Sequence, residues 1–197
     1  MSSGIENRNF TRYAFGPSAR ALQEEFGSRD AYRRMEESGD RFVLTDREIG
    51  FIESRDSFYL STVGENGFPY VQFRGGPVGF LKVLGPSRLG FADYSGNRQF
   101  ISSGNIRETG KACLFLIDYP TRQRVKIWAE AQMTLADGDS PLSRALRDPQ
   151  YPANVERFLT FDILAYDWNC PKYIPQRYTL EEIRRDPELL RQVNAQV

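Results

Sequence analysis

The sequence contains no histidine, only two cysteines and no excess of charge of either sign: 26 Lys and Arg stand against 26 Asp and Glu in 197 residues. Each absence removes a class of mechanism. Without imidazole there is no Ser-His-Asp triad, no Cys-His pair and no HExxH zinc site, and two well-separated cysteines cannot build a cysteine-rich metal centre. Balanced charge argues against partners held by surplus lysine and arginine, so neither nucleic acid nor an anionic membrane is expected. Long hydrophobic runs are missing too. The longest, Ala112 to Ile117, falls far short of a membrane span, and Glu6 and Arg8 interrupt the N-terminus before a signal-peptide core can form. Cys113 and Cys170 lack the dense spacing of a secreted disulfide framework, so reduced thiols in a cytoplasm are expected. If the chain is an enzyme, its hard chemistry belongs to a cofactor.

Aromatic residues, by contrast, are plentiful: 14 Phe, 10 Tyr and 2 Trp. The length fits one domain, 1–197, divided into an N-terminal helical segment (1–55), a β-rich body (56–170) and a C-terminal tail with a helix (171–197). In the first part, Ala19, Leu22 and Phe26 recur at helical spacing before Gly27. Ser28 can cap a helix running to Ser38, and Thr45 with Glu48 has the spacing of a capping box. From Ser57 the period changes to two. Strands are expected at Ser57–Val63, Phe68–Arg74, Gly79–Leu84, Arg88–Tyr94, Ala112–Asp118, Arg124–Leu135 and Phe161–Trp168, the fifth covered on both faces because it does not alternate. Helices are expected from Asn97 to Thr109, after Ser140-Pro141, and after a second capping box at Thr179 and Glu182. Tight turns between so many strands describe a mainly β fold with peripheral helices, a closed antiparallel barrel.

Three clusters could carry chemistry. Gln72-Phe73-Arg74-Gly75-Gly76-Pro77, followed by Lys82, places glycines where a backbone could approach a ligand and an arginine fork beside them; a plain strand bend is the competing reading. Ala92-Asp93-Tyr94-Ser95-Gly96-Asn97-Arg98-Gln99 runs from a strand into a helix N-terminus, where free N–H groups and the helix dipole favour an anion. Capping alone would also explain Ser95 and Asn97. In Tyr166-Asp167-Trp168-Asn169-Cys170-Pro171, Trp168 suits core packing, and no histidine is present to activate Cys170. No GxGxxG or Walker sequence occurs, so a nucleotide would be held by other means.

The order of these segments, with Gly64-Glu65-Asn66-Gly67, Gly90-Phe91-Ala92-Asp93, Gly104-Asn105 and Trp168-Asn169-Cys170-Pro171, resembles the pyridoxamine 5'-phosphate oxidase-related flavin-binding proteins. It is most similar to a subgroup of flavin-nucleotide-binding proteins of about this length. The resemblance implies a split β-barrel that forms a homodimer and holds FMN at the subunit interface. Position by position, it implies that Phe73, Arg74, Gly75 and Lys82 lie near the flavin. Asp93, Tyr94, Ser95, Asn97, Arg98 and Gln99 match the segment that holds the phosphate, with Asn105 lower on the same helix. Lys126, Trp128, Trp168 and Asn169 would approach from the second subunit. The chain departs from the true pyridoxamine phosphate oxidases, whose C-terminal substrate segment uses arginine and histidine; the narrower subgroup commonly has histidine where Phe73 and Tyr173 stand here. The expectation is therefore an FMN-dependent oxidoreductase acting on a small molecule or a nicotinamide, with a non-catalytic flavin-binding or sensing module as the alternative.

Overall fold

A computed structural model describes residues 8–136, 138–168 and 171–194. Where the sequence alternates, it forms seven strands: β1 (Ser57–Val63), β2 (Pro69–Gly75), β3 (Lys82–Gly85), β4 (Arg88–Tyr94), β5 (Lys111–Asp118), β6 (Gln123–Leu135) and β7 (Val155–Trp168). They make one antiparallel sheet in the order β2-β1-β5-β6-β7-β4-β3. The barrel is split, as the family resemblance implies, and not closed as the turn pattern alone suggests: among the described residues no ladder joins the edge strands β2 and β3. Pro69 lacks an N–H at the start of β2, and Gly76-Pro77 takes the chain off that edge, so the edge strand cannot extend its pairing. Side chains bridge the split. Arg74 on β2 reaches Asp93 on β4 at 2.6 Å.

The concave side of the sheet encloses the core. Leu60, Leu114, Leu116 and Ile127 have no exposed surface, and four phenylalanines interlock at its centre. Phe58 stacks on Phe80 with centroids 5.6 Å apart, and Phe91 meets Phe58 edge-on at 5.5 Å and Phe161 face-on at 6.0 Å. Each such side chain stabilises the fold by roughly 1.5–3 kcal/mol through burial. β5 corrects the expectation of a strand covered on both sides. Its residues alternate, with Leu114, Leu116 and Asp118 inward and Cys113, Phe115 and Ile117 only half-buried on the other face. The run reads as continuously apolar because this outer face is itself apolar, with Tyr59 on β1 and Val71 and Phe73 on β2 exposed beside it. Gly79 has φ +74° and Phe80 closes a turn on Pro77, so β3 starts at Lys82 rather than Gly79.

Helices cover the rest of the barrel. α1 (Thr11–Ala14), α2 (Pro17–Glu25) and α3 (Arg29–Glu37) precede α4 (Asp46–Glu53), whose Thr45–Glu48 capping box is formed. The helical stripe that identifies α2 is not buried, since Leu22 is 53% and Phe26 77% exposed. α2 is tied to α3 instead by Arg20–Glu36 at 3.0 Å and by Arg29 bonded to Gln23 at 3.0 Å. α5 (Ile101–Thr109) starts four residues later than expected, because Arg98 and Phe100 adopt left-handed backbone angles (φ 59° and 56°) that a helix cannot contain. α6 (Pro141–Leu146) is capped by Ser140, and α7 (Leu180–Arg185) and α8 (Pro187–Asn194) follow. Among the described residues, no helix is long and apolar enough to cross a membrane.

Candidate cofactor-binding site

Strand alternation decides which side chains reach the split. On β2 it sends Tyr70, Gln72 and Arg74 inward, where they meet the end of β4, the 95–100 loop, the first turn of α5 and the start of β7 around a cavity of about 200 Å³. Asp93 lies at its floor, 2% exposed. One carboxylate oxygen accepts from Arg74 at 2.6 Å and the other from Nε of Arg157 at 2.9 Å. Arg157 is the direct cross-strand neighbour of Asp93, and its Nη1 also reaches Glu156 at 2.9 Å. Burial holds the Arg74 guanidinium below the usual arginine value; Asp93 pulls it up and Arg157 pushes it down. Its Nε is buried without a partner. A buried donor left unmatched is costly, and that cost is met by the rest of the cluster.

The 95–100 loop supplies the other wall. The guanidinium of Arg98 lies 5.9 Å and that of Arg157 5.0 Å from the ring centre of Phe100. Two left-handed, non-glycine residues so close together mark a segment held by its surroundings, of the kind found at binding sites. From Phe100 the chain enters α5, and Ile101, Ser102 and Ser103 line the cavity with their unpaired first-turn N–H groups at the positive end of the helix. Ser102 donates to Gln72 at 2.8 Å, which ties this turn to β2. Three guanidiniums and a helix N-terminus thus meet two carboxylates, Asp93 at the floor and Glu156 beside Arg157, and the surplus cation suits the cleft to an anion. Tyr94 stands at the rim against Tyr151, centroids 5.0 Å apart, and burial, then Tyr151 and Asp148, raise its phenol above the ordinary value.

Of the residues singled out in the sequence, Arg74, Asp93, Tyr94, Asn97, Arg98 and Gln99 line this cavity. The others stand elsewhere in the chain. Phe73 points to the opposite face of β2, where it meets Tyr59 at 5.8 Å, and a side chain at Gly75 would approach the exposed Phe73 ring at 3.0 Å. Lys82 pairs with Gly90 on the far edge of the sheet. The N–H of Ser95 bonds Asn154, and the Asn97 carboxamide accepts from the N–H of Gln99 at 3.2 Å, so neither caps α5, which begins beyond them. Asn105 donates to Thr62 at 3.1 Å and fastens α5 to β1. Lys126 and Trp128 lie on the outer face of β6, with Phe10 stacked on Trp128 at 5.7 Å. Trp168 packs on Phe51 and donates to Glu48 at 2.6 Å. Asn169 and Cys170 lie outside the described residues.

Arg157, Phe100 and Ser102 were absent from the sequence reading. Arg157 escaped because β7 was expected to start at Phe161, whereas it starts at Val155. The adjacent Glu156-Arg157-Phe158 was the available signal: charged residues next to the start of a buried run belong to a strand crossing the barrel wall.

The fold is an antiparallel split barrel with a cationic cleft at the split. More narrowly, the chain belongs to the pyridoxamine 5'-phosphate oxidase family, whose model matches residues 44–164. Among solved structures, HupZ of Group A Streptococcus is similar with a TM-score of 0.51 and 9% identity, covering 68% of this chain and 100% of that one. An FMN-binding protein of Syntrophomonas wolfei gives a TM-score of 0.46 and 15% identity over 75% and 97% of the two chains. The heme storage protein HutZ of Vibrio cholerae gives 0.40 and 16% over 62% and 90%. No curated protein matches the chain. The likeness to HupZ shows the fold alone.

Proposed function

We propose that this protein binds FMN in the split and works as a flavin-dependent oxidoreductase on a small molecule or a nicotinamide. The observation that carries the reading is the cluster of Arg74 and Arg98 with the first-turn N–H groups of α5 around one cavity. These groups would hold the phosphate. FMN, when bound, supplies the two-electron redox chemistry. The chain's own groups bind and orient. Tyr94, its phenol held protonated above the ordinary range, can donate a hydrogen bond but is not a base at neutral pH.

A cavity of about 200 Å³ falls short of the roughly 300–1,000 Å³ that encloses a cofactor-sized ligand. A second copy of the chain would complete it. Independently of the cavity, from which it is turned away, the exposed apolar outer face around Tyr59, Val71 and Phe73 supports a homodimer. One observation favours a second reading, a flavin-binding or sensing module without catalysis: Asp93, the one carboxylate lining the cavity, is engaged by both Arg74 and Arg157.

The visible spectrum of the purified protein tests both. Oxidised-flavin bands that bleach with NADH or NADPH are expected. Flavin bands inert to every donor would favour the module. Colourless protein that refuses added FMN, or a Soret band from heme, would overturn the proposal.

A further inference from the structure

We propose that α2 and α3 form a clasp that seats on the outer sheet face of a second copy of this chain, with Leu22 and Phe26 as its apolar contacts and Glu25 directed to Arg124 of the partner subunit. The inference rests on the homodimer reading above and is independent of which ligand fills the cleft.

α2 and α3 are nine residues each, too short to persist in water without packing. Yet they bury almost nothing in their own chain. Gln23 is the one buried residue of the two helices, while Leu22 and, just past α2, Phe26 are exposed. Polar ties hold the pair in shape instead: Arg29 joins Gln23 at 3.0 Å and Glu36 at 2.5 Å, and Glu36 takes Arg20 as well. A pair fixed in this way with a bare apolar edge is preorganised for a partner.

A chain of rings connects the pair to the sheet. Tyr32 of α3 meets Phe15 edge-on at 5.3 Å, Phe15 meets Phe10 at 5.7 Å, and Phe10 stacks on Trp128 of β6 at 5.7 Å. Trp128 lies on a cross-strand row that runs through Cys113 and Ser61 to Val71 on the edge strand β2. The apolar patch of Tyr59, Val71 and Phe73 and the foot of the helical pair therefore share one face, and a body seated on the patch lies beside the helices. Within one chain the two surfaces leave each other exposed. Between two copies related by a twofold axis, each covers the other's.

Charge points to the same occupant. Glu24 and Glu25 lie in solvent beside Phe26, which opposes an anionic lipid or a nucleic acid. The outer face offers the opposite sign: the Arg124 guanidinium lies 6.0 Å from the Phe115 ring, and among the described residues neither Arg124 nor Glu25 forms an ion pair. An acidic, aromatic edge thus matches a basic, aromatic face of the same chain.

Sedimentation equilibrium of the full chain over a dilution series tests the clasp. Wild type should be a dimer. Leu22→Ser combined with Phe26→Ser should raise the dimer dissociation constant about 10-fold or more, as for central apolar contacts, and leave the far-UV spectrum unchanged, because both side chains face solvent within one copy. Glu25→Arg and Arg124→Glu should each weaken the dimer several-fold, and the protein carrying both should recover most of the loss, which two separate structural roles would not produce. Monomeric wild type would overturn this proposal and the homodimer reading together. A dimer indifferent to the Leu22 and Phe26 substitutions, or charge substitutions whose losses simply add, would overturn the clasp alone and leave the homodimer standing.

Discussion

Replacing Asp93 with asparagine preserves the shape of the side chain and removes the charge that two buried guanidiniums share. The carboxylate is 2% exposed, and its two ion pairs, at 2.6 and 2.9 Å, involve arginine side chains only 15% and 12% exposed. Solvent therefore screens them weakly. Removing one partner of a buried pair leaves the other charge uncompensated and typically costs about 3–5 kcal/mol. In a domain of this size each kcal/mol moves the melting temperature by roughly 2–4 °C, so Asp93→Asn should melt about 6–20 °C below wild type in phosphate-free buffer. Urea titration at 25 °C should show the same loss in the midpoint with an unchanged slope. Added phosphate should recover part of the deficit and stabilise the variant more than the wild type, because a bound anion replaces the missing charge. A loss below about 1 kcal/mol, or an equal response of both proteins to phosphate, would refute the claim that this carboxylate neutralises the cleft.

Two further outcomes follow from local geometry. A methyl group at Gly76 would meet Cγ of Phe80 at 2.7 Å, inside the aromatic core, so Gly76→Ala should destabilise by about 1–3 kcal/mol in chemical denaturation. A neutral effect would show that the Gly75-Gly76 pair answers to something other than packing. Glu48 is pushed up by burial, but hydrogen bonds from Thr45 and Trp168 outweigh this and hold its carboxyl below the ordinary value. Its contribution is therefore fully present above the unfolded value, about pH 4.3, and is lost as pH falls through the lower folded value. Stability followed by Trp168 fluorescence should decline below about pH 4 in the wild type and more shallowly in Glu48→Gln, which itself should lose about 1–3 kcal/mol at pH 7. Identical acid profiles for the two proteins would contradict this account.

Much of the architecture was legible locally. Strands β1 and β4 occupy the spans that alternation predicts, and the Thr45–Glu48 and Thr179–Glu182 capping boxes form as their spacing requires. These features depend on residues within a turn or a strand of one another. The start of α5 was misplaced because Arg98 and Phe100 adopt left-handed angles that nothing in the residue types announces. α2 shows the converse: its apolar spacing is a true helix signal, yet the ion pairs to α3, and not that stripe, decide how it sits.

The candidate site divides along the same line. Sequence alone placed Arg74 in one donor cluster and Ser95, Asn97 and Arg98 in another, at a strand end and a helix start, and the fold brings Arg74, Asn97 and Arg98 to one cavity. It also excluded every mechanism that needs imidazole. Only the tertiary structure decided that Phe73 stands on the outer face of β2, that Asn105 ties α5 to β1, and that Arg157 joins the cleft. The reason is register. Which residue of β7 stands opposite Asp93 is set by how the whole sheet curls around its phenylalanine core, and a shift of one position would turn Arg157 to the other face.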